Sequence, residues 1–147
     1  MQLAAAFAHG GGKVLVVDDD PQGTATRWAS FAPDQDPFPA VVVNLALAGE
    51  QLHQEVRMRV DEYDYVVIST APSSVDSPVP QSALLVADIV LIPFAPPPPD
   101  LWAAMDIKAL IKNAQTVNEN LRPYLVANMV QGPVSSAAPL ATRSSQF

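Results

Sequence analysis

Residues 13–24 read Lys-Val-Leu-Val-Val-Asp-Asp-Asp-Pro-Gln-Gly-Thr, and this stretch restricts the fold more than any other. Four consecutive apolar residues, 14–17, run into three carboxylates, a proline and a glycine. An apolar run without polar alternation is a strand buried on both faces, as in a parallel sheet covered by helices. The carboxylates then stand at the strand's carboxyl end, where open α/β sheets place their ligands. Asp18, Asp19 and Asp20 are therefore the strongest chemical feature of the chain. Acidic residues also favour strand exits for a plainer reason, since they form turns and stay hydrated.

The remaining pattern alternates helix and strand, as a parallel sheet requires. Residues 2–9 suit a short helix closed by glycines 10–12, and residues 23–31 a second one. A turn-rich loop over 34–37 precedes a short strand at 41–43. A helix is expected over 50–60, with Leu52, Val56 and Val60 on one face. Residues 65–68 form the next buried strand, and Ser77-Pro78 opens a helix to about residue 86. A strand at 89–92 is expected to halt at Pro93. Asp100 is placed to cap a helix over 101–118, and a last strand covers 124–128. The serine-, alanine- and proline-rich tail from Gln131 has neither period and is read as loose. The expected organisation is one α/β domain over 1–130 followed by a tail over 131–147.

Bulk properties exclude several classes. The chain has 147 residues, 49% apolar and 16% charged, which is globular composition and enough for one core. With no cysteine, neither a disulfide framework nor a thiolate metal site can form, which suits a cytoplasmic protein. No apolar run approaches the ~18–20 residues of a membrane span. The net charge is −7, and its eight basic residues are scattered, so no face is marked for direct DNA binding. His9 and His53 lack metal-ligand spacing and read as surface or cap residues. Trp28 and Trp102 read as core or interface packing. The four prolines at 96–99 read as a stiff loop rather than a docking ligand.

A strand that ends on Asp-x-Asp-Pro-Gln-Gly resembles the ParA/MinD family of partition and positioning ATPases. Three later segments resemble that family in the same order: Asp-Tyr-Val-Val-Ile-Ser-Thr-Ala-Pro at 64–72, Ala-Asp-Ile-Val-Leu-Ile-Pro at 87–93, and Leu-Val-Ala-Asn-Met at 125–129. The resemblance covers roughly residues 2–130. It implies a three-layer, P-loop-NTPase-like α/β fold, a mostly parallel sheet with helices on both faces. It also implies roles. Asp20 corresponds to the aspartate that positions the attacking water near Mg²⁺ and the γ-phosphate, with Asp18 as the supporting carboxylate. Pro97 and Asn128 correspond to positions on the adenine side.

Two departures redirect the functional expectation. The family begins with a strand leading into Lys-Gly-Gly-x-Gly-Lys-[Ser/Thr] and a helix, and no such segment occurs here. Gly10-Gly11-Gly12-Lys13 leads into a strand, with Val14 where a Mg²⁺-binding hydroxyl is required, whereas a phosphate loop opens a helix. The expected fold thus lacks the P-loop strand. At position 69 the family has an aspartate, and here there is Ser69. The expectation is a truncated, degenerate ParA-like domain in which Asp18 and Asp20 are a vestigial catalytic and Mg²⁺ pair. No cofactor is expected for this chain, although the family uses ATP and Mg²⁺. The implied partners are a second copy, an intact ParA-like ATPase and a ParB-like protein. The alternative is an active partition ATPase whose start is not in this sequence. Cobyrinic acid amidating synthases share the superfamily, but no amidotransferase half or nucleophilic cysteine is present.

An absent strand removes about four or five buried side chains, each worth ~1.5–3 kcal/mol. Two repairs are expected. Either strands 65–68 and 89–92 close against each other, or a second copy covers the open edge.

Overall fold

The computed structural model describes residues 1–70, 78–94 and 101–127. They fall into two compact units, Met1–Ala87 and the chain from Asp88 onward.

In the first unit the strands β1 (Val14–Asp19), β2 (Val41–Asn44) and β3 (Tyr65–Thr70) form a parallel sheet in the order β2-β1-β3. The central strand β1 is buried at every position. Its register places Leu15 beside Val41 and Val66, and Asp18 beside Asn44 and Ser69. Alternation along β1 divides its side chains between two cores. Leu15 and Val17 pack with Leu52 and Val56 of α3 (Leu52–Arg57) and Ala83 of α4 (Pro78–Leu84). Val14 and Val16 pack with Ala4 of α1 (Gln2–His9) and Ala25 of α2 (Thr24–Ser30). Helices thus cover both faces, which is why the run at 14–17 tolerates no polar residue.

The helix expected over 50–60 is shorter and divided. A 3₁₀ segment, Ala46–Gln51, precedes α3, and another, Val60–Glu62, follows it. Gly49 stands inside the first with φ 53° and ψ −124°, a backbone setting that only glycine adopts at low cost. The chain bends there before α3 can begin. At the other end Arg59 bonds the Glu55 carboxylate at 2.7 Å.

In the second unit β4 (Ile89–Phe94) and β5 (Arg122–Ala127) pair in parallel, joined through α5 (Leu101–Gln115). Strand β4 continues through Pro93, which pairs with Val126. A strand at the edge of a two-stranded sheet has a side that needs no amide. Ile111, Ala114 and Leu121 are buried, and Gln115 Nε2 donates to Leu121 O at 2.9 Å.

Among the described residues β3 pairs with β1, and β4 with β5. A strand–helix–strand connection brings β4 to the strand that follows it, and this local crossover decides its partner. Among the described residues no helix is long and apolar enough to cross a membrane.

Candidate functional site

The carboxyl end of β1 is built by a turn. Gly23 N–H donates to Asp20 O at 2.7 Å, closing a four-residue turn with Pro21 at the position its fixed φ suits. Asp20 Oδ1 accepts from Gln22 N–H at 2.8 Å, the bond that a first-position aspartate makes. Gly23 is left-handed, with φ 62° and ψ 37°. A Cβ there would stand 3.4 Å from Asn44 Nδ2 and 3.9 Å from Asp18 Oδ2. Helix α2 starts at the next residue.

Asp18 reaches from β1 to that helix start. Its Oδ2 accepts from both the N–H and the hydroxyl of Thr26, each at 2.7 Å. Its Oδ1 faces Asp20 N–H at 3.3 Å. Thr26 is the third residue of α2, and its amide has no acceptor within the helix. Gly23 occupies the cap position and has no side chain to offer, so Asp18 does the work of an N-cap from a neighbouring strand. Asp20 Oδ2 accepts from the Thr24 hydroxyl. That bond, followed by the Gln22 amide, holds the Asp20 carboxyl below the ordinary carboxylate range.

Asp19 is different. By alternation it lies on the α3/α4 face of the sheet, opposite Asp18 and Asp20. It is fully buried, and neither of its carboxylate oxygens has a hydrogen-bond partner. Burial first, and the charge of Asp18 second, push its carboxyl up to about 6.

The expected pair, Asp18 and Asp20, is thus brought to one face of the sheet. All four oxygens are engaged as acceptors, chiefly by the start of α2. The ladder partner of Asp18 in β3 is Ser69, which adds no charge. Among the described residues no three His, Asp or Glu side chains are grouped as a metal ion would require. These residues fit a capped strand–helix junction and do not fit a dication held between Asp18 and Asp20. Nor can Asp19 replace the carboxylate missing at position 69, because it faces the other way. Pro97 and Asn128 lie outside the described residues.

Sequence reasoning missed Thr24 and Thr26, whose signal was the Thr-x-Thr that follows the glycine. It also treated His53 as isolated. His53 N–H donates to Ser82 Oγ at 3.0 Å, and Ser82 Oγ donates to Glu50 O at 2.9 Å. Its ring Nδ1 lies 2.9 Å from Glu50 O, an acceptor, and 3.1 Å from Ser82 Oγ. The group fastens α4 to the start of α3. Trp28 is half exposed and meets Phe38 edge-on at 5.6 Å.

No family model matches the chain. It is 30% identical over 120 residues to the maintenance of carboxysome distribution protein A of Halothiobacillus neapolitanus, an alignment covering 82% of this chain and 54% of that protein. The chain therefore spans about half the length of that relative. Among solved structures, cobyrinic acid a,c-diamide synthase from Mycobacterium smegmatis superposes with a TM-score of 0.71 at 19% identity, over 89% of this chain and 68% of that one. A plasmid partition protein from Borrelia burgdorferi superposes with a TM-score of 0.66 at 19% identity, over 91% and 74%. These two share the fold: parallel sheets with helices, as in P-loop NTPases. The segment order, the parallel α/β architecture and the relative of 30% identity agree, and the chain is a homologue of that positioning protein with a fold consistent with the ParA/MinD superfamily.

Proposed function

We propose that this chain is a degenerate ParA-like domain that serves partition or positioning through protein association, without competent ATP hydrolysis of its own. One observation carries the reading: Asp18 and Asp20 spend their oxygens on Thr26, Gln22 and Thr24, opposite a serine rather than a carboxylate. Phosphoryl transfer depends on charged groups and metal fixed around the phosphates. A junction arranged to cap a helix supplies neither. The partners in this reading are a second copy, an intact ParA-like ATPase and a ParB-like protein. Its relative's role in carboxysome distribution supports a positioning task.

The test is turnover of MgATP by the purified chain, with Asp20→Ala as control, alongside calorimetry. The reading expects no turnover above the control and no micromolar binding. Turnover abolished by Asp20→Ala sinks it. A second reading, part of an active partition ATPase, is favoured by the 54% span of the relative. An in-frame Lys-Gly-Gly-x-Gly-Lys-[Ser/Thr] in the codons upstream of Met1 would establish that alternative.

A further inference from the structure

The loop over residues 31–37 contributes to neither core of the first unit. It leaves the end of α2 and is closed at its base by Trp28 and Phe38, whose rings meet edge-on. A compact loop with its ends pinned together is a built element, and such loops frequently carry function. Phe31 N–H donates to Trp28 O at 3.3 Å, and Asp36 N–H donates to Pro33 O at 2.9 Å, closing a turn. Pro33 and Pro37 fix the backbone on either side. The loop's apolar residue is not hidden: Phe31 is 82% exposed, and Trp28 is 49% exposed. Phe31 keeps helical dihedrals at the end of α2, so the two rings, three residues apart, share one side of the helix. Exposed Pro33 and Pro37 extend the patch. Contiguous exposed apolar groups mark interaction sites where scattered ones do not, and aromatic residues are enriched at interfaces.

Charge selects the occupant. The turn carries Asp34 and Asp36, both exposed, and chain reach keeps Asp34 within about 11 Å of Phe31. Among the described residues neither carboxylate is in an ion pair. The cation nearest in sequence, Arg27, stands about 100° round α2 from Trp28. Nucleic acid and anionic lipid have the same sign as this turn and as the chain, whose net charge is −7. A second copy in the usual two-fold arrangement would set the patch against itself, with like charges juxtaposed at a cost. We propose that Trp28, Phe31 and the turn over 33–36 form a docking surface for a basic segment of another protein. An apolar side chain of that segment rests on the two rings, and a lysine or arginine beside it pairs with Asp34 and Asp36. The prolines hold the loop ready, which lowers the ordering cost of binding. The inference rests on the reading that the chain works by association, and it gives that association a surface and a partner chemistry.

NMR titration of the ¹⁵N-labelled full chain tests it. The probe is a blocked peptide, Gly-Lys-Arg-Leu-Lys-Arg-Gly, set against the same peptide with glutamate for every cation. Saturable movement of the Trp28 indole N–H and of the amides of residues 31–36 is expected with the basic probe alone. Phe31→Ser should weaken binding about fivefold or more. Asp34→Asn combined with Asp36→Asn should weaken it about threefold and remove its salt dependence. No movement at the loop, movement centred elsewhere, an equal response to the acidic probe or an unchanged affinity in either variant overturns the proposal. So does a dimer in light scattering that Phe31→Ser turns into a monomer, which gives the loop to a second copy. Both variants change exposed side chains, and Tm checks that they fold; should it fall, the wild-type titration decides by which amides move. These readouts are independent of MgATP turnover, so loss of this surface and loss of the proposed function are told apart.

Discussion

With no donor to meet it, Asp19 holds its proton longer in the folded chain than in the unfolded one, where a carboxyl titrates near 3.8. The folded value is about 6, so between those values the native state binds more protons than the unfolded state. The Asp19 contribution to stability therefore falls as pH rises from about 4 to about 6 and levels off above. Each pH unit of difference is worth about 1.4 kcal/mol, and allowing for screening the whole effect is roughly 1–3 kcal/mol. Urea unfolding in EDTA at pH 4.5 and 7.5 should show Asp19→Asn gaining on the wild type at the higher pH. A wild-type–variant difference that does not change with pH would contradict the assignment. Asp20 has the opposite sign. Its lowered carboxyl contributes stability that is present above 3.8 and lost as pH falls through the depressed value. Because the Thr24 hydroxyl is the largest cause, Thr24→Val should move the Asp20 titration upward, followed by carboxyl carbon NMR.

Helix α2 is held at its start by a residue eight positions back in another element. Removing Asp18 by alanine strips the Thr26 amide and hydroxyl of their acceptor, at a cost of about 1–3 kcal/mol. Thr26→Val keeps the amide bond and should cost less, about 1 kcal/mol. The two are compared by denaturant midpoint, and an equal loss would argue against the amide as the main contact. This junction also shows what the sequence makes legible. Strand β1 was readable because an unbroken apolar run admits one setting, and the Asp-Pro-Gln-Gly turn because its residue types fit one turn. The cap was not, since local patterns look for it in the residue before the helix and here that residue is Gly23. The shortened α3 escaped for a related reason: Leu52, Val56 and Val60 keep helical spacing in sequence, although Gly49 bends the chain before α3 and Val60 falls in the 3₁₀ segment after it. Gly49→Ala meets no atom within 4 Å, so any loss is backbone strain. We expect about 1–3 kcal/mol, measured as a lower unfolding midpoint.

At the scale of the whole chain, family order was legible but strand partnership was not. The segments at 64–72 and 87–93 resemble their counterparts one by one, yet which strands pair depends on crossovers that no single segment encodes. The outcome is two small parallel sheets of three and two strands. Each leaves apolar residues in water: Val41 and Tyr65 on the first, Ile89, Leu91, Leu125 and Val126 on the second are all more than a third exposed. Parallel sheets are normally covered on both faces, and a pair of strands alone is marginal. Unpaired edges rich in valine and isoleucine invite another chain. The association in the proposed function would cover such edges. Light scattering behind gel filtration should give at least twice the monomer mass at micromolar concentration. Dilution should lower both the mass and Tm together, because a partner that binds only the folded chain stabilises it by mass action. A monodisperse monomer whose Tm is independent of concentration would show that these edges need no second copy, and the association half of the proposed function would fall with it.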